Sequence, residues 1–300
     1  MPYNLSNYLV IGISSRALFD LSYENEIFEK QGLEAYSQYQ LEHEDEVLTP
    51  GAGFALVEAI LNLNKLVPQK RKSEVIIMSR NSADTSLRIF NSIEHFNLDI
   101  TRAALTGGAS LAPYLNAFDV DLFLSASESD VKAGIKAGIA SGLIYGAPSD
   151  YRSSIDQIRI AFDGDAVLFS EESELIYQNK GLEAFLEHEK KNAKKPLPAG
   201  PFAKLLKTLS YLQFEVELAT PPIRTALVTA RNSPAHERVI RTLRDWKVRI
   251  DEAFFLGGVS KAEILQAFGA HIFFDDQPVH CDPASKVVPV AQVPVDSSES

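Results

Sequence analysis

The sequence predicts an α/β protein made of two similarly built parallel-sheet halves, and three observations carry that expectation. First, the chain matches itself. I-G-I-S-S-R-A-L-F-D…Q-G-L-E-A-Y (Ile11 to Tyr36) lies over I-A-F-D-G-D-A-V-L-F…K-G-L-E-A-F (Ile160 to Phe185) without a gap. Val75 to Ser82 lies over Ala226 to Ser233, and Thr106 to Phe118 over Leu256 to Phe268, in the same order. A spacing this long is a repeated domain rather than a solenoid. Second, short β-branched runs alternate with longer amphipathic stretches, which implies a parallel sheet covered on both faces. Third, the turn signal Gly146-Ala147-Pro148-Ser149 falls between the matching segments. It divides the chain into residues 1–150 and 151–300.

Element by element, the second half reads as strands at Ile158 to Phe162, Thr225 to Val228, Ala253 to Leu256, His271 to Phe274 and Val287 to Val290. Each is a short, mainly apolar run bounded by polar or small residues. Between the second and third, Ala235 to Trp246 places Val239, Ile240 and Leu243 at helical spacing. The insert at about residues 171–222 is charged, helical in pattern over Leu182 to Lys191, and interrupted by Pro196, Pro198 and Pro201. It suits a small helical cap over a site.

Composition bounds the function. A chain of 300 residues with 45% hydrophobic content can bury a sizeable core. The formal net charge of −11 argues against a nucleic-acid polymer as partner. The Lys70-Arg71-Lys72 and Lys190 to Lys195 runs read as solvated loops. One cysteine, Cys281, excludes an intrachain disulfide and a thiolate metal cluster. The N-terminal apolar run is too short for a signal segment or a membrane span, so a cytoplasmic location with no membrane partner is expected. The tail V-D-S-S-E-S is expected to fray. Scattered histidines lack zinc-site spacing; His43 and His188 read as solvated and His280 and Cys281 as loop and core residues. G-G-V-S-K lacks the spacing of a phosphate-binding P-loop.

In a parallel sheet, ligands sit beyond the carboxyl ends of the strands. Four polar clusters fall there: Asp163-Gly164-Asp165, Thr229-Ala230-Arg231, Lys261 after Gly257-Gly258, and Asp275-Asp276. Each alone could merely cap a helix or end a strand. Together they offer carboxylates for a hard cation, and a hydroxyl and an ammonium for an anion, a set suited to phosphoryl transfer. Crowded carboxylates repel, and Mg²⁺ would let several stay ionised. On an extended segment Asp163 and Asp165 point to the same side, with Gly164 allowing close backbone approach.

The series D-G-D-A-V, strand-end Thr, Lys and D-D resembles the four-motif signature of the haloacid dehalogenase superfamily, with its Rossmann-like sheet. The longer strings A-F-D-G-D-A-V-L-F-S-E-E-S-E, L-V-T-A-R, H-I-F-F-D-D-Q, S-S-R-A-L-F-D and L-T-G-G resemble the type I cytosolic 5′-nucleotidases across nearly the whole chain. That resemblance implies a Mg²⁺-dependent hydrolase of nucleoside 5′-monophosphates, AMP-like, working through an aspartyl-phosphate. It implies Asp163 as nucleophile and Asp165 as the acid, and later the base, with a raised pKa. Thr229 and Lys261 would hold the phosphoryl oxygens, with Ala230 and Arg231 beside them. Mg²⁺ would be held by the Asp163 carboxylate, the Asp165 carbonyl, Asp275 and Asp276. Stimulation by an ADP effector and a homo-oligomeric state are also implied, though no separable motif marks either. The alternatives are a phosphatase for another small phosphate ester and a non-enzymatic nucleotide sensor.

The internal match puts Ser14 against Asp163, Arg16 against Asp165, Met78 against Thr229, Leu111 against Lys261, and Ser125-Ala126 against Asp275-Asp276. The first half is therefore expected to be degenerate and non-catalytic. Arg16, at a strand end, remains a candidate to bind a nucleotide phosphate.

Overall fold

The structure, a computed structural model, describes residues 5, 8–66, 71–145, 148, 151, 157–215 and 220–295. Ten strands form one sheet: β1 (Leu9–Ile13), β2 (Ser73–Ser79), β3 (Arg102–Leu105), β4 (Leu122–Ser125), β5 (Ala140–Ile144), β6 (Ile158–Phe162), β7 (Ile223–Thr229), β8 (Glu252–Phe255), β9 (Ile272–Asp275) and β10 (Val290–Gln292). Their order across the sheet is β3-β2-β1-β4-β5-β10-β9-β6-β7-β8. Every neighbouring pair is parallel except β5 with β10. Strands β1 to β5 and β6 to β10 thus run in the same relative order outward from the antiparallel seam. The expected α/β class with a mostly parallel sheet is what the chain adopts.

The helices are α1 (Ser15–Leu18), α2 (Ser22–Glu42), α3 (Phe54–Leu66), α4 (Leu87–His95), α5 (Ala112–Ala117), α6 (Glu128–Lys136), α7 (Glu172–Lys191), α8 (Ala203–Glu215), α9 (His236–Asp245), α10 (Lys261–Phe268) and α11 (Pro278–Ala284). Strand β1 is a continuous apolar run buried along its whole length, as helices on both faces require, and β2 is equally buried, its one charge, Glu74, being paired with Arg71 and Arg102. Core helices show the matching stripe: α8 buries Leu205, Leu206, Leu209 and Leu212. Helix α8, part of the expected cap insert, therefore packs on the sheet rather than over the strand ends. Helices α2 and α7 are each broken at a glycine in the left-handed region, Gly32 (φ 86°) and Gly181 (φ 80°), the G of Q-G-L-E-A and K-G-L-E-A.

Several expectations shift. Strand β7 begins at Ile223, because Arg224 interrupts the apolar pattern without interrupting the ladder. The strand expected at Val287 to Val290 is instead Val290–Gln292, since backbone turns after α11 satisfy Val287 and Val288. The lysine runs are not all solvated loop. Lys72 is buried and pairs with Glu215 at 2.6 Å, and Lys190 and Lys191 end α7. The Gly146 to Ser149 turn, Lys70 and the tail beyond Val295 lie wholly or largely outside the described residues.

The strand register corrects the internal match. Ile13 pairs with Ile77 and Leu124, as Phe162 pairs with Leu227 and Phe274. Strand β2 ends at Ser79 where β7 ends at Thr229. The Ser79 hydroxyl accepts from the Asn81 amide at 3.1 Å, and the Thr229 hydroxyl from the Arg231 amide at 3.3 Å. Thr229 is thus matched by Ser79, not Met78, and Ala230 is an extra residue before R-N-S.

Candidate active site

Strand β6 delivers Asp163 at its carboxyl end, where the Asp163 amide is tied to the Phe274 carbonyl of β9 at 2.8 Å. A single π turn follows (Gly164–Leu168), with Asp163 and Asp165 both extended (ψ 165° and 142°) and Ala166 left-handed. Two carboxylates on alternate extended residues face one side, as the spacing requires. A Cβ on Gly164 would stand 3.3 Å from Thr229 Oγ1, so the small residue lets β7 come close.

Helix α10 begins at Lys261, and its ammonium donates to Asp163 Oδ1 and to Asp275 Oδ2, each at 2.6 Å. All three side chains are buried. Ligand atoms of Asp163, Asp275 and Asp276 lie within 4.8 Å of one another. Burial raises the Asp163 pKa to about 6, with Lys261 opposing and the other carboxylates assisting. Burial raises Asp275 as well. Asp276 is pushed to about 8 by burial and by the charges of Asp163 and Asp275. Burial alone would lower Lys261, but the two carboxylates it bridges hold it above the usual range. Asp276 Oδ1 is buried with no hydrogen-bond partner. An orphaned carboxylate oxygen beside two more carboxylates suits a hard divalent cation, which would keep all three ionised.

The remaining predicted residues fall around this cluster. Thr229 is buried at the end of β7, with Ala230 exposed beside it. Arg231 does not face open space. Its Nε and Nη2 grip Asp165 at 2.7 and 2.6 Å, and its Nη1 meets Glu189 at 2.5 Å. Asp165 is thus held at two points by a guanidinium in this arrangement. Arg16 lies far along the sheet, beyond β1.

Sequence reasoning missed Glu189 and Arg238. Glu189, of α7, is 1% exposed and accepts from Arg231, from Arg238 Nη1 at 2.9 Å and from the Ser173 hydroxyl at 2.9 Å. Burial works against its charge, but the guanidiniums hold its pKa below the usual range. The run E-H-E-K-K concealed it, since only the helical phase could have separated Glu189 from its solvated neighbours.

A mostly parallel α/β sheet with carboxylates, an ammonium and a hydroxyl converging beyond its strand ends defines a site able to hold a cation and a phosphate ester together. The 5′-nucleotidase family model matches residues 1–300. Human cytosolic 5′-nucleotidase 1B is 39% identical over 300 residues, covering 97% of this chain and 49% of that protein. The chain belongs to the 5′-nucleotidase family, of the type I cytosolic kind. It spans about half the length of the curated relative it matches. A solved Listeria monocytogenes chain described as a "putative UDP-N-acetylglucosamine 2-epimerase" is 10% identical, with 95% of this chain and 78% of that one covered. Its TM-score of 0.22 is too low to carry an argument. Among the described residues, no helix is long and apolar enough to cross a membrane.

Proposed function

We propose that the protein is a cytoplasmic, Mg²⁺-dependent 5′-nucleotidase that hydrolyses AMP-like nucleoside monophosphates at the strand ends of its second half. The observation that carries this reading is the cluster of buried Asp163 and Asp275, bridged by Lys261, with the half-buried Asp276 beside them, on a chain of this family. The name of the human relative supports the substrate class and the compartment.

Asp163, held at the strand end by its amide, attacks phosphorus and takes the phosphoryl group as an aspartyl-phosphate. Lys261 screens the incoming dianion from Asp163, and Thr229 offers a hydroxyl to its oxygens. Mg²⁺, when bound by Asp163, Asp275, Asp276 and the Asp165 carbonyl, supplies charge neutralisation and a template for the phosphate. Asp165 gives a proton to the ribose oxygen as its bond to phosphorus breaks, and later takes one from the water that attacks the aspartyl-phosphate, which releases phosphate and restores Asp163. It can do so only after loosening its grip on Arg231, for which Glu189 already provides a second anchor. The transition state is loose and chiefly needs in-line placement.

We assign residues 1–150 and 151–300 to duplicated halves, with α7 as the cap over the second. The shared strand order and register support this. The first half lacks the carboxylates and the lysine, so it does not catalyse. The test is Asp163→Asn, assayed on AMP with Mg²⁺ and again after chelation. Turnover should fall by orders of magnitude in the variant, with an unchanged circular dichroism spectrum, and vanish reversibly with EDTA in the parent. Near-normal turnover in either condition would overturn the assignment.

A further inference from the structure

The first half keeps the scaffold of the site but reverses its chemistry. Beyond β1, β2 and β4 lies a cavity of about 680 Å³, within the range of small-molecule pockets. By strand register its floor carries Ser14 at the position of Asp163, Ser79 at that of Thr229 and Ser125 at that of Asp275. Leu111 stands in place of Lys261, and Ala126 in place of Asp276. Ser14 Oγ accepts from the Ala17 and Ala126 amides, which leaves its proton free to donate. With serines on the floor the first half lacks the aspartate nucleophile, and among the described residues the cavity's carboxylates form no cluster for a cation.

The charge changes in the opposite sense. Where the second half has the Asp165–Arg231 pair, the first has Arg16 and Asn81. Arg16 lines the cavity and is exposed, and among the described residues nothing pairs with it. The other charges on the cavity wall are already engaged. Glu24 meets Arg88 at 2.7 Å and Arg80 meets Asp130 at 2.6 Å, while Asp84 stands at the solvent-exposed rim, bonded to the Ser82 side chain. A lone guanidinium over a floor of hydroxyls suits a phosphate or carboxylate.

The overhang is kept. Phe28 and Tyr36 of α2 meet edge to face at 6.0 Å and 82°; Tyr177 and Phe185 of α7 do so at 6.2 Å and 82°. Leu33 and Leu182 stand out beside them, 65% and 57% exposed. Tyr36 is fixed by Asn81 and Gln40, both donating to its hydroxyl at 3.0 Å. Both halves therefore offer the same aromatic wall, but only one offers catalytic carboxylates below it.

We propose that the first-half cavity is a second ligand site, taking a nucleotide-class anion without metal and without turnover. Its ring system lies against Phe28 and Tyr36, and its phosphate meets Arg16, Ser14 and Ser79. The ligand class rests on the nucleotidase reading of the second half; the anion subsite rests on the first half alone.

Hydrogen exchange read by mass spectrometry on the 300-residue chain carrying Asp163→Asn, in EDTA, tests this, with AMP, adenosine and inorganic phosphate as probes. AMP should slow exchange in residues 14–17, 28–36 and 79–82, with phosphate protecting only the first and last of these. Arg16→Glu, an exposed substitution, should weaken the AMP midpoint at least tenfold, and Phe28→Ala should weaken AMP while sparing phosphate. Absence of first-half protection at millimolar AMP, or an unchanged midpoint in Arg16→Glu, overturns the proposal while leaving the catalytic assignment standing. Failure of the parent protein to hydrolyse AMP removes the ligand class, and both readings fall.

Discussion

Glu189→Ala should destabilise the protein far more than loss of a helix-surface glutamate would. The side chain is almost wholly buried and accepts three hydrogen bonds, from Arg231, Arg238 and Ser173. Charge-assisted bonds contribute roughly 1.5–3 kcal/mol each, and breaking a buried ion pair by removing one partner costs about 3–5 kcal/mol. Arg231 keeps Asp165, and Arg238 keeps the Lys195 carbonyl at 3.0 Å, so neither cation is left bare. The lower end, about 3 kcal/mol, is therefore expected. For a chain of this size that is a fall in Tm of roughly 6 °C, at about 2 °C per kcal/mol. Urea unfolding followed by circular dichroism measures it, and Glu189→Gln should recover part of the loss by keeping shape and an acceptor. A loss below about 1 kcal/mol, the value of an exposed pair, would mean that Glu189 is solvated and that the network is not an anchor for Arg231.

Asp165→Asn should be nearly inactive on AMP but lose less on an activated aryl phosphate, whose leaving group needs no proton; equal losses on both would argue against the acid role. Cys281 is fully buried, its thiol donates to the Asp275 carbonyl at 3.5 Å, and burial pushes its pKa upward. A raised thiol pKa leaves the unreactive protonated form across neutral pH, so maleimide should label the native protein only on unfolding. Rapid labelling of the folded chain would contradict this burial.

The readable part of the fold was the part set by apolar patterning. The run Leu9 to Ile13 is apolar throughout because both sheet faces are covered, and in Ile158 to Phe162 the one charge, Arg159, leaves the apolar pattern legible. The carboxylate cluster was readable for a related reason. Strand ends are where a parallel sheet opens to ligands, and acidic residues repeated there have few structural uses. The Arg231–Glu189–Arg238 network was not readable, because burial of a charge depends on partners from other elements, and here they come from the loop after β7 and from α9. Letters alone also misplaced Thr229. R-N-S over R-N-S is an attractive match, but side chains are positioned by ladder hydrogen bonds, and the register of β2 on β1 and of β7 on β6 makes the end of β7 equivalent to the end of β2. The difference of one residue decides which side chain is the counterpart of Thr229. Matched by letters it is a methionine, with nothing to offer an anion. Matched by hydrogen bonds it is the Ser79 hydroxyl, in a cavity that Ser14, Ser125 and Arg16 also line, and among the described residues that arginine has no carboxylate partner.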